Sequence, residues 1–197
     1  MKKFLPLIAA ALLVALSGGL SFSAQDGVRF QWDITSLQPP NILPGGKASA
    51  RASDGSKITI TGSGTFSLIA PSAAALFPLF QVVTGGGTFE IRNPAGSITE
   101  SGTFLVTRLV RFEEAPGTFP GTDRIGNGAD ARGGLVVLQI VYSDGRQGTL
   151  VVSCHLAGTP DSVFEGITAT KGFVDFFNAE APVAGVDADR TLFHVLR

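Results

Sequence analysis

The sequence predicts an all-β protein of mainly antiparallel strands folded as a single domain. Three observations carry this. Apolar and polar residues alternate over several separate stretches. The 197 residues include 25 Gly and 11 Pro, with little helical patterning between them. Residues Gly134 to Leu156 read as two long strands joined at Asp144-Gly145. Asp-Gly between apolar runs signals a hairpin, because these residues tolerate the positive φ that a tight turn demands.

A two-residue turn there sets a register in which Ser143 faces Arg146, Ile140 faces Thr149 and Leu135 faces Cys154. One face then carries Leu135, Val137, Gln139, Val141, Leu150, Val152 and Cys154. Val136, Leu138, Ile140 and Tyr142 fall on the other face, with Thr149, Val151, Ser153 and His155. The first strand is apolar on both faces, which places it inside a sheet.

Ahead of this hairpin, residues 1–23 read as a secretory signal peptide, followed by one domain over 24–197. Lys2 and Lys3 form a basic start, Phe4 to Leu16 an apolar run, and Ser21 and Ser23 the small residues before a cut after Ser23, or after Ala24. The apolar run is too short to anchor a chain in a bilayer, and Ser17-Gly18-Gly19 interrupts it. The expected location is secreted or periplasmic, with no membrane span once the leader is gone. Losing the two leader lysines leaves 13 basic against 16 acidic groups, about −3 against −1 for the whole chain. No basic stripe is present, so nucleic acid is not an expected partner.

Val28 to Ile34 alternates strictly and predicts a half-buried strand. Pro39 to Ser56 reads as a polar connection. Lys57 to Leu68 alternates again, with Ile58, Ile60, Phe66 and Leu68 on one face. Pro71 to Phe80 is the one short helix expected, started by Pro71 and limited by Pro78. Thr88 to Arg92 and Gly102 to Phe112 predict a hairpin across Asn93-Pro94-Ala95-Gly96. Glu113 to Gly133 is a long connection rich in Pro, Gly and charge, and such loops are commonly functional or disordered. Val163 to Lys171, Gly172 to Phe177 and Thr191 to Leu196 complete a set of roughly eight to ten strands.

Gly-Thr-Phe recurs at Gly64, Gly87, Gly102 and Gly117. In the first three copies it reads as Gly bending the chain, Thr facing out and Phe facing in. The fifteen Phe have no polar handle and read as packing. Strands with two apolar faces and glycine bends favour a closed or nearly closed, calycin-like barrel over a β-sandwich. Thr-Gly-Ser-Gly-Thr-Phe (61–66) and Thr-Gly-Gly-Gly-Thr-Phe (84–89) resemble the Gly-rich turns of dirigent and allene oxide cyclase barrels. That likeness covers these residues alone, the flanking pattern departs from both families, and no site is carried over from it.

Chemical motifs are scarce. Cys154 is the single cysteine, so no intrachain disulfide forms, and its apolar neighbours read it as a buried thiol. His155 follows it but points to the opposite face of a strand. His155, His194 and Cys154 lack the spacing of a zinc site. Asp123, Asn127 and Asp130 share a Gly-rich loop that could offer oxygens to calcium, without EF-hand spacing. Solvated loop side chains are the simpler account, and no metal or cofactor is expected. Glu113-Glu114 reads as a solvated strand end.

Two polar residues interrupt apolar faces. Arg108 shares its alternation with Phe104, Val106, Val110 and Phe112, and Gln139 with Leu135, Val137 and Val141. A buried guanidinium needs a partner. One reading makes Arg108 and Gln139 the polar contacts of a ligand cavity. The competing reading has a bulge turn Arg108 outward.

The functional expectation is an exported barrel binding a small apolar or amphipathic ligand. A structural or interaction module without a ligand, and a cyclase- or isomerase-like barrel enzyme, are the alternatives. The sequence does not set the oligomeric state.

Overall fold

The computed structural model describes residues 27–68, 82–182 and 189–197. The signal peptide expected over 1–23 and the helix expected over 71–80 both lie outside the described residues. The described residues form thirteen strands in one sheet and one short 3-10 turn at Gly128–Asp130, with no α-helix.

The backbone of the fold is a circuit of antiparallel ladders. It runs from β1 (Val28–Gln38) to β4 (Lys57–Leu68), β5 (Val83–Arg92), β6 (Ile98–Ala115) and β8 (Ala131–Tyr142). It returns through β13 (Arg190–Leu196), which pairs with β8 at Arg132 and Ala131 and with β1 along seven residues. The sheet also extends from β8 through β9 (Gln147–Cys154) and β10 (Gly166–Lys171) to β11 (Val174–Phe176). Two short strands lie within Pro39 to Ser56, the stretch that the sequence reads as a polar connection. β2 (Asn41–Pro44) folds back on β1, and β3 (Ala48–Arg51) pairs with β4 and with β12 (Asn178–Ala179).

One apolar cluster fills the interior. Phe30, Trp32 and Ile34 of β1 meet Ile58, Ile60 and Phe66 of β4 and Phe193 of β13, all within 2% of full burial. Phe112 packs against Phe30, Phe66 and Phe193 with ring centroids 4.7, 4.9 and 5.4 Å away. Phe66, Phe89 and Phe104, the Phe of three Gly-Thr-Phe copies, all point inward. These tripeptides lie within strands rather than at their starts. Gly64 and Gly85 face each other across β4 and β5, beneath Trp32. A Cβ on Gly64 would stand 2.7 Å from the indole nitrogen, so only glycine lets the ring lie on this ladder.

Two registers differ from expectation, and each for a local reason. In the central hairpin Tyr142 pairs with Arg146, so the loop holds Ser143, Asp144 and Gly145. Gly145 takes φ +85°, the left-handed position of a three-residue hairpin. The extra loop residue slips the register by one, and such a slip exchanges faces. Leu138 opposes Leu150 and Val136 opposes Val152. The buried face is therefore Val136, Leu138, Ile140 and Tyr142 with Leu150, Val152 and Cys154. Leu135, Val137, Gln139 and Val141 face outward, half-buried.

In β6 the register shifts between Val106 and Arg108 and again between Leu109 and Arg111. Each shift inserts one residue, Thr107 and Val110, and each resets the phase of alternation. The inward residues become Phe104, Val106, Leu109 and Phe112, at intervals of two, three and three.

Candidate functional site

The bulge at Thr107 turns Arg108 outward, where it is exposed. Arg108 and Gln139 do stand opposite each other in the β6–β8 ladder. They line a shallow outer depression with Val110, Gln147 and Thr149, not an interior cavity. Of the two readings of Arg108, the outward bulge is the one the structure bears out, while Gln139, expected on the buried face of the hairpin, faces outward.

A better-formed pocket lies elsewhere, under the long 113–133 connection. β6 takes up its first residues to Ala115. The rest forms a strap, residues 116–130, that crosses the outer face of β1 and β13. Backbone bonds hold the strap at each end. Thr118 N–H donates to Ala157 O, Thr122 N–H to Pro40 O and Arg124 N–H to Ile42 O. The last two accompany β7 (Thr122–Asp123), which lies parallel to β2.

The pocket beneath the strap has a volume of about 300 Å³. Leu37, Pro40 and Ile42 form one wall, at the β1–β2 turn, where the Pro39-Pro40 peptide is cis. Phe119, Pro120 and Gly121 of the strap form another, and Leu156 and Ala157 a third. His155, Glu165, Arg190 and Thr191 supply the polar lining.

Glu165 is fixed by backbone. Its Oε2 accepts from the His155 N–H, and its Oε1 from the Thr191 N–H at 2.7 Å. Burial pushes its pKa up to about 7, against those donors and the nearby charge of Arg190. His155 Nδ1 lies 2.7 Å from the Val163 carbonyl. A carbonyl only accepts, so Nδ1 carries a hydrogen and donates it to Val163 O.

Arg190 is the anomaly. Among the described residues its Nε is buried without a hydrogen-bond partner, and no carboxylate forms an ion pair with its guanidinium. A partly buried, permanently charged group left unpaired is costly. It is the kind of group that a ligand completes.

A second polar cluster lies under the other end of the strap. His194 Nε2 is 2.7 Å from Asp123 Oδ2, and Gln31 donates to Asp33 at 2.8 Å. Burial raises the Asp33 carboxyl. For Asp123, burial is outweighed by the N–H groups of Ile125 and Gly126 and by His194, and its pKa is lowered. Gly126 sits directly on the His194 ring. This cluster fastens the strap. His194 thus meets Asp123, while His155 belongs to the pocket.

The three loop oxygens considered for calcium diverge. Asp123 turns to His194, Asn127 caps the 3-10 turn, and Asp130 pairs with Arg197 at 2.9 Å. No group of three or more metal-ligating side chains converges among the described residues. Glu113 pairs with Arg111 and Glu114 with Arg132. Cys154 is buried, and burial raises its thiol pKa well above the ordinary value.

Sequence reasoning missed Glu165 and Arg190. Arg190 opens a strand opposite Thr35 of β1, and Glu165 precedes β10, so only the tertiary fold joins them. Compared with family models, with curated proteins and with solved structures, the chain matches none.

Proposed function

We propose that this is an exported protein that holds a small apolar or amphipathic ligand in the pocket beneath the strap. The circuit of ladders around one apolar core is read here as a closed, calycin-like barrel, with the strap as an external cover. The observation that carries the reading is Arg190. Apolar walls offer burial to a ligand's body, and an unpaired guanidinium offers its head a partner. Arg190 and Glu165 take the place first given to Arg108 and Gln139, whose outer depression lacks such walls.

One observation favours a second reading. A carboxyl with a pKa of about 7 beside a histidine is suited to moving a proton at neutral pH. The same pocket could then serve a cyclase or isomerase that works by shape and one proton transfer.

Native mass spectrometry of protein purified from its own host tests the proposal. A retained small molecule, lost on denaturation, is expected. A bare polypeptide mass, with no uptake of 1-octanol in solution, would replace the ligand reading with that of a structural module. The same spectrum reads the N-terminus. A mature chain beginning at Ala24 or Gln25 supports export to the periplasm or beyond, and one still beginning at Met1 refutes it.

A further inference from the structure

The polar end of the pocket says more about its ligand than that it is amphipathic. The Arg190 charge cannot be removed by pH. Glu165 is near enough to feel it, yet the two form no ion pair. Both Glu165 oxygens are already held by the N–H groups of His155 and Thr191. The guanidinium is thus left to an incoming anion, which would then lie beside Glu165.

We propose that the ligand is a monoanionic amphiphile whose head group pairs with Arg190, and that its binding is coupled to uptake of one proton by Glu165. This rests on the ligand reading above. Two negative groups sharing one partly buried cation do not both stay ionised at little cost. Glu165 yields, because burial already holds its pKa at about 7. The proton comes from solvent and returns there on release, and no other bond is made or broken.

The groups facing Glu165 are few. Arg190 on β13 keeps its charge throughout. Cys154 on β9 is held neutral by burial. The pocket walls from the strap and the β1–β2 turn carry no titratable side chain. Among the described residues that line the pocket, His155 is the other ionisable side chain, and the experiment separates it from Glu165.

The test uses two probes with the same chain, 1-octanesulfonate, an anion at every pH used, and 1-octanol, which is neutral. Binding is measured by titration calorimetry from pH 6 to 8.5, in buffers of different ionisation heat. Octanesulfonate affinity should fall about thirty-fold over that range, toward the tenfold per pH unit of a one-proton linkage. Proton uptake should approach one per ligand at pH 8.5, and octanol affinity should stay flat. Glu165→Gln should abolish the pH dependence, and Arg190→Met should lose octanesulfonate while keeping octanol.

If octanol binds but octanesulfonate does not, or binds without pH dependence, the proposal is overturned and the ligand reading stands. A pH dependence that persists in Glu165→Gln also overturns it and assigns the proton to His155. If neither probe binds, the ligand reading itself fails. Should Glu165→Gln not fold, His155→Gln, which leaves Glu165 in place, should keep the pH dependence, and its loss there overturns the proposal.

Discussion

Leu138→Ala tests the register of the central hairpin directly. Leu138 and Leu150 oppose each other and are both at 0% exposure. The substitution removes three buried carbons, worth about 2.4 kcal/mol at about 0.8 kcal/mol each. A residual void of roughly 50 Å³ adds about 1.2 kcal/mol at about 24 cal/mol per Å³. The expected loss is about 3.5 kcal/mol. With a urea slope of about 2 kcal/mol/M, the unfolding midpoint should fall by about 1.5 to 2 M. Its neighbour Val137 is half-buried on the outer face. Val137→Ala removes two carbons already in part hydrated and should cost about 0.8 kcal/mol, or about 0.4 M. Equal shifts for the two variants, or a larger one for Val137→Ala, would refute the register and restore the two-residue turn.

Lys171 is fully enclosed, with its ammonium bonded to Glu100 and Asp144 and about 5 Å from the Phe89 and Tyr142 ring centroids. Its hydrogen bonds hold both carboxyls below their ordinary pKa values, so that stabilisation is present above the unfolded values near 4 and is lost as pH falls through the folded ones. The stability gap between the unaltered protein and Lys171→Met, read from thermal midpoints, should therefore shrink from pH 5 to pH 2, and a constant gap would mean that Lys171 acts through packing alone. Glu165 has the opposite sign. Its raised pKa makes the fold most stable below about 4.5 and less stable as pH rises through about 7. The midpoint of Glu165→Gln relative to the unaltered protein should climb between pH 4.5 and 8.5, and a flat difference would contradict the burial of that carboxyl. Gly85→Ala should cost about 1 to 3 kcal/mol by urea unfolding, because φ is +126° and the new methyl would stand 2.5 Å from Ser63 O. Gly145→Ala, strained in φ but open in space, should cost less.

The all-β class was legible because alternation reports burial wherever a strand is regular. β4 followed its pattern closely, and in β1 Phe30, Trp32 and Ile34 face inward as read, though Val28 is exposed and Asp33 and Thr35 on the other face are buried too. The errors fell where one residue was added to a strand or loop. In β6 the polar positions Thr107, Arg108 and Arg111 do not share a period of two. An arginine forced inward by strict alternation was itself the sign that the phase had slipped. In the hairpin, Asp-Gly announced a turn but left its length open, and Ser143 decided it. The candidate site was illegible for another reason. Its walls come from the β1–β2 turn, the strap, the end of β9 and the start of β13. Glu165 and Arg190 are ordinary residues in sequence, made unusual only by what surrounds them.

One strand, β13, closes the circuit between partners far apart in sequence. β13 bridges β1 and β8, contributes Phe193 to the core, and carries both Arg190 and His194. Until residues 190–196 are available, β1 lacks one of its flanking ladders, the strap lacks its His194 fastening, and the pocket lacks its cation. Native pairing of β1 with β13 spans almost the whole chain, a contact that forms late and slowly. A chain lacking β13 is left with an open ring, whatever the rest of its sequence encodes.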